Sequence, residues 1–299
     1  MKPDFSMSLG NKVKGFAAAV LAAVFYGTNP LGTLALYADG VNSGTVLFYR
    51  YALAVAMFAL WMLVKGESFR VRPGHAIRFA MLGTFFAVSS ISLYTSFHYM
   101  DAGVASTLLF VYPVMTAVLM AAFFHEHVRW PDALSIGLAL AGVALLYQGD
   151  GGVKLSMTGF SLVMISSLTY AIYIISVHQW QTTMSPLKFT FWVLVFGLLA
   201  IVVYSVMMGE RITLLTTTRD WLCAAQLALF PTVLSLYFMT IGIKLIGSTP
   251  SAIMGALEPV TAVVIGVCVF GELISLRMVT GILLILGAVT LIVLSKKKQ

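Results

Sequence analysis

A proline-interrupted apolar stretch occurs twice in this chain, 146 residues apart. Tyr112 to Glu126 lies over Glu258 to Glu272, so that Pro113 falls on Pro259, Val114 on Val260, Val118 on Val264, Phe124 on Phe270 and Glu126 on Glu272. A second pair sits upstream, where Gly15-Phe16…Tyr26 lies over Gly159-Phe160…Tyr170 at an offset of 144. Each copy of the first pair predicts an apolar helix broken just past its middle by proline and leaving the bilayer at Phe-X-Glu. A chain that repeats a broken helix at half its length is built from two similar halves, here 1–150 and 151–299.

Composition puts both halves in a membrane. The chain is 60% hydrophobic and 10% charged, with mean hydropathy +0.97. A soluble domain of this size cannot bury that much apolar surface. The expected class is an all-α integral membrane protein with no separate soluble domain. No cleavable signal peptide is expected, because the apolar run after Lys12 and Lys14 is too long and lacks a cleavage site. Cys223 and Cys268 both lie within apolar runs, where small packing residues are expected rather than a disulfide or metal pair.

Hydropathy and breakers predict ten helices, at about 13–37, 43–64, 76–99, 103–124, 132–148, 158–179, 186–208, 221–243, 249–270 and 277–295. With the N-terminus inside, the cytoplasmic segments hold thirteen of the eighteen Lys and Arg, and the outer ones hold Lys154, Arg211, Arg219 and Arg277. The remaining one, Arg50, is within a span. That bias predicts a multi-pass protein with both termini cytoplasmic, and it makes the +7 net charge a topology device rather than a nucleic-acid surface. Five helices per half is odd, so the second half enters from the opposite side. The repeats are then inverted about an axis in the membrane plane, with a pathway between them.

The Pro-Val…Phe-X-Glu pattern of helices four and nine, Leu257-Glu258-Pro259-Val260, Gly271-Glu272-Leu273 and the glycine-spaced tail Gly281…Gly287 resemble the drug/metabolite transporter superfamily. Within it the likeness is to the EamA-like branch of ten-helix bacterial transporters. The paired halves carry this resemblance over nearly the whole chain. It implies a place in the bacterial cytoplasmic (inner) membrane and export of amino acids or other small metabolites, often as proton-linked antiport. One departure is His125-Glu126, where the second copy has Gly271-Glu272.

Two ionisable residues are placed deep in the bilayer. Arg50 is expected about ten residues into helix two and Glu258 about ten into helix nine, ~15 Å deep at ~1.5 Å per residue. A charge there costs ~2.5–3.5 kcal/mol, so it needs a partner, a wet cavity or a function. Arg50 and Glu258 either neutralise each other and brace the bundle, or one binds the substrate's charged group while Glu258 exchanges a coupling proton.

Proline frees the carbonyl four residues before it. Pro30, Pro113, Pro231 and Pro259 therefore release the carbonyls of Tyr26, Leu109, Leu227 and Gly255. Such groups are tolerated only beside protein or a wet cavity. Pro30 with Tyr26 and Asn29 suggests a polar face on helix one, against the plainer reading of a simple kink. Tyr94 and His98, four residues apart, share a face of helix three. Tyr112, Tyr170, Tyr173 and Tyr237 complete the candidate lining, each open between helix–helix hydrogen bonding and a cavity wall.

His125 and His127 flank Glu126 without the further ligand of a metal site, so no metal or cofactor is expected. No phosphate loop, nucleophile elbow or His-Glu-X-X-His helix is present. The leading expectation is a secondary transporter working by alternating access. A passive channel or facilitator is the alternative, followed by an intramembrane enzyme. Expected partners are a small-molecule substrate, membrane lipid and protons, with a homodimer left open and no nucleic acid. In a variant lacking Cys223 and Cys268, a cysteine at position 70 should resist a membrane-impermeant thiol reagent applied to intact cells. One at 154 should react, and the reverse pattern would overturn this topology.

Overall fold

The computed structural model describes residues 9–100, 105, 108–126, 129–146, 156–180, 184–270 and 276–297. No strand occurs among them. The helices are α1 (Leu9–Tyr26), α2 (Asn29–Ala38), α3 (Ser43–Lys65), α4 (Pro73–Ser96), α5 (Tyr112–Phe124), α6 (Trp130–Leu146), α7 (Met157–Gln179), α8 (Pro186–Met208), α9 (Thr218–Ala228), α10 (Ser235–Ile246), α11 (Ser248–Met254), α12 (Leu257–Phe270) and α13 (Leu276–Lys297). A π-helical turn, Leu229–Leu234, joins α9 to α10. Six of the resulting rods are long and apolar enough to cross a membrane: Gly10–Ala38, Ser43–Lys65, Pro73–Ser96, Met157–Gln179, Pro186–Met208 and Thr218–Ile246. Shorter apolar helices lie beside them.

Local chemistry sets the helix ends. Asn42, Ser156, Ser185 and Thr217 accept bonds from backbone N–H groups of the first turns of α3, α7, α8 and α9. Pro73 and Pro186 open α4 and α8, where a missing N–H costs nothing. Gly66 and Gly209, both at φ +67°, close α3 and α8. His125 closes α5 at φ +51°, the one positive-φ non-glycine residue among the described residues. It stands where the second copy of the motif has Gly271.

The breaks fall elsewhere than expected. The first rod is interrupted at Gly27-Thr28, between α1 and α2, rather than running straight through. Pro113 sits in the first turn of α5, and Pro259 is the third residue of α12. These prolines therefore follow a break instead of kinking a helix interior. In the first turn a missing N–H has no intrahelical partner to lose, so the chain turns first and restarts with proline in the new first turn. α4 ends at Ser96, which leaves His98 off the helix that was expected to carry it to 99. Expected helix four begins at 103 and the 149–152 linker follows helix five; residues 103, 104, 106, 107 and 147–155 lie outside the described residues.

Packing joins elements from both halves. α1 lies along α10, α4 along α7 and α8, α3 along α8, and α6 along α13. The α4–α8 crossing is close because it is backbone on backbone: a Cβ on Gly83 would come within 2.6 Å of Gly197 N and Val193 O. Gly83→Val should therefore lower the melting temperature in detergent by the equivalent of ~1–3 kcal/mol. Gly137→Val, which meets nothing within 4 Å, should stay within ~0.5 kcal/mol. Equal effects at the two sites would refute this account of the crossing.

Candidate functional site

The site forms where three helix breaks converge. Pro231 lacks the N–H that would have bonded Leu227, and the Thr232 hydroxyl fills that place, donating to Leu227 O at 2.8 Å. Thr232 Oγ1 in turn accepts from Arg50 Nε at 2.7 Å. Arg50 Nη1 donates to the Tyr94 hydroxyl at 2.9 Å, which in turn donates to Asn29 Oδ1 at 2.8 Å. Thr33 joins this group, with its hydroxyl 3.1 Å from Tyr94 Oη. Arg50 Nη2 reaches Pro231 O at 3.5 Å, a long contact. The guanidinium carbon lies 5.7 Å from the ring centroids of both Tyr26 and Tyr94.

Arg50 is wholly buried, yet its partners are neutral. The ion pairs among the described residues are Arg129–Asp132 and Arg219–Asp39. Arg50 and Glu258 therefore do not neutralise each other by direct contact. The cation is held by hydroxyl and carbonyl oxygens and two aromatic faces, which replace its hydration. The expected start of this helix at 43 holds, which makes Arg50 shallower than the ten residues counted for it. It stands seven residues from the start of α3 at Ser43, about 10 Å along the axis.

Glu258 is the second residue of α12, and its backbone N–H donates to Gly255 O at 2.8 Å. Its side chain is 93% buried, 7% being exposed, and Oε1 has no hydrogen-bond partner. The residue lines a cavity of about 70 Å³ together with Tyr26, Gly27, Asn29, Pro30, Thr33, Phe97, Phe110 and Pro259. Since one water needs ~10–15 Å³, that volume admits several. Arg50 is not on the cavity wall; it stands behind Tyr26 and Tyr94.

α5 and the α11–α12 pair meet at their breaks. The Tyr112 hydroxyl donates to Ala252 O at 3.2 Å, and Gly255 leaves room for that ring, since a Cβ there would collide with the Tyr112 hydroxyl. Gly27 does the same for helix one, because a Cβ would come within 2.6 Å of Glu258 O and Thr261 Cβ. Tyr112 packs on Tyr170 with centroids 4.9 Å apart, and Tyr170 stacks on Tyr173 at 6.1 Å.

Of the candidate residues, Tyr26, Asn29 and Glu258 thus share the cavity wall, with Arg50 and Tyr94 directly behind, and Tyr112, Tyr170 and Tyr173 form an adjoining aromatic row. Two fall elsewhere. His98, exposed beyond the end of α4, bonds Ser43 Oγ at 2.8 Å and stacks on Tyr37. Tyr237 packs on Trp61 at 4.8 Å. The sequence reading missed Thr33, Thr232 and Gln226, whose amide donates to Thr28 O and Oγ1 at 3.2 Å across the break in the first rod. Thr232 had a signal in its place directly after Pro231.

Fold and site together define a multi-pass membrane protein with a cavity enclosed between broken helices. Residues 13–148 and 157–294 each match the EamA-like transporter family, and the chain belongs to that family. It is 26% identical to an Archaeoglobus fulgidus protein named as an uncharacterized transporter, over 92% of this chain and 94% of that one. It is 22% identical to the Escherichia coli K12 protein YedA, named as an uncharacterized inner membrane transporter, over 83% and 80%. A solved crystal structure matches the fold at TM-score 0.81 with 16% identity, covering 96% of this chain and 98% of that one.

Because Arg50 is bonded to Tyr94 and Thr232, double-mutant cycles on thermal stability should show stronger coupling of Arg50→Gln with Tyr94→Phe or Thr232→Val than with Glu258→Gln. Removing one partner of a charged hydrogen bond costs ~1.5–3 kcal/mol. Coupling to Glu258 that exceeds both would restore the direct ion pair.

Proposed function

We propose that this protein is a secondary transporter that exports small amphipathic metabolites, such as amino acids, by alternating access in the inner membrane, with Glu258 as the group that exchanges protons for substrate. The observation that carries the reading is the Glu258 carboxylate: 7% exposed, with Oε1 unpartnered, on the wall of a cavity where broken helices meet. A carboxylate left without a donor inside a bundle this well supplied with hydroxyls is available to a proton or to a substrate ammonium. Arg50 acts from behind the wall, fixing Tyr94 and Asn29 and adding positive charge next to the site.

Alternating access follows from ten rods in two inverted halves. Support for that arrangement comes from the packing. The neighbour relations α1 with α10 and α7 with α4 exchange when the halves are exchanged, while α3–α8, α6–α13 and the contact of α5 with α11 map onto themselves. Two halves related in this way rock about the site between them. Both termini are cytoplasmic in this scheme.

The test is counterflow and pH-gradient-driven transport in sealed proteoliposomes, using a labelled amino-acid panel. Wild type should saturate and respond to the gradient. Glu258→Gln should remain folded and monodisperse but lose the gradient response, with at least a tenfold fall in uphill transport. Wild-type-like, pH-coupled transport by Glu258→Gln would remove the proposal. Flux that does not saturate and shows no counterflow would make the protein a channel.

A further inference from the structure

A second cavity lies away from the transport site, at the end of the bundle where α4 begins and α7 finishes. It is a groove of about 330 Å³ between these two helices. From α4 it takes Arg78, Met81 and Phe85, and from the α7 end Ser176, Gln179 and Trp180. The spacings i, i+3, i+7 and i, i+3, i+4 put each set on one helical face. The groove opens towards the bilayer, since Ile77 and Met81 beside it are 70% and 55% exposed.

Its chemistry is ordered by depth. Arg78 is five residues into α4, about 8 Å along the axis from its start, where a long arginine side chain can reach the headgroup level. Trp180 sits at the same end, capping α7, and the Arg78 guanidinium carbon lies 5.5 Å from its ring centroid. That ring contact is the only partner Arg78 has among the described residues. Its N–H donors, arranged as a fork suited to phosphate, are therefore free. Ser176 and Gln179 add polar groups at this level, while Met81 and Phe85 continue the groove deeper with apolar wall.

We propose that this groove binds an anionic phospholipid, with its phosphate on Arg78 and an acyl chain along Met81 and Phe85. A free cation at headgroup depth above an apolar trough matches the two parts of such a lipid, and basic pockets between helices bind acidic headgroups. The site is independent of Glu258 and of the transport reading.

The probe is phosphatidylglycerol against phosphatidylcholine of the same acyl chains, titrated onto delipidated full-length protein and read by native mass spectrometry. Wild type should prefer phosphatidylglycerol by about fivefold, the worth of one cation near an anionic headgroup. Arg78→Gln should abolish the preference and leave phosphatidylcholine binding unchanged. Arg70→Gln, outside the groove, should keep the preference. Ser176→Trp, which fills the groove with the cation left in place, should also lose it and serves if the Arg78 variant fails to fold. The proposal is overturned by equal binding of the two lipids to wild type, by an Arg78→Gln protein that keeps the preference, or by equal losses at positions 70 and 78. Glycerol 3-phosphate binding as tightly as phosphatidylglycerol would assign the site to a soluble phosphate and reject the lipid.

Discussion

In hydrocarbon, a carbonyl released from its helix has to find a donor inside the protein, because no water is there to supply one. Three of the four carbonyls that lie four residues before Pro30, Pro113, Pro231 and Pro259 are answered locally or across a helix interface. Leu109 O accepts from Ser167 Oγ at 3.1 Å, Leu227 O from Thr232 Oγ1 at 2.8 Å, and Gly255 O from Glu258 N at 2.8 Å. Each of these bonds does more than close a gap. Ser167 ties α7 to the segment ahead of α5, Thr232 also accepts from Arg50, and the Glu258 amide fixes the first turn of α12 with its carboxylate at the cavity. The breaks and the site are thus one construction. Pro231 lies within the π-helical turn Leu229–Leu234, and Thr232 in that turn stands between a carbonyl and a guanidinium.

Much of the scaffold was legible because its signals are local. Apolar runs and their glycine, proline and serine boundaries mark helices to within a few residues, and the capping residues Asn42, Ser156, Ser185 and Thr217 are visible in the sequence. The interruption at Gly27-Thr28 was less visible. It depends on the close approach of Gly27 to Glu258 and Thr261 and on the Gln226 amide, all distant in sequence. The same limit explains the site. Periodicity groups residues on one helix but gives no rotation of that helix against its neighbours. Tyr237 accordingly turned towards Trp61, and Arg50 found Tyr94 and Thr232 rather than Glu258. His98 was lost to a single fact, the end of α4 two residues before it.

The repeated proline motif follows a break in both halves, at Pro113 and at Pro259, but the charges are not repeated. Glu258 stands where the first half has Tyr112, and at the 144 offset the counterpart of Arg50 is Leu194. Tyr112 and Glu258 are therefore matching positions of the repeated motif with different chemistry, at the point where α5 meets the α11–α12 break. Tyr112 is spent on structure, its hydroxyl bonded to Ala252 O in the space that Gly255 leaves. The position that one half uses to hold its break together carries, in the other half, a carboxylate whose Oε1 has no hydrogen-bond partner.

That contrast is why the unpartnered oxygen of Glu258 carries weight. A bundle that supplies a hydroxyl or amide to Leu109, Leu227 and Gly255, and neutral oxygens and two rings to a wholly buried arginine, has the means to satisfy a carboxylate as well. Tyr26 lines the same cavity and Tyr112 lies at the adjoining break, yet neither phenol bonds Glu258. An orphaned buried polar group costs ~1–3 kcal/mol, and a charged one more. A structural carboxylate at this position would be expected to have drawn a donor into place. One that must gain and lose a proton, or hold and release a ligand, works only if no fixed donor occupies it, and this is the condition on which the transport proposal rests.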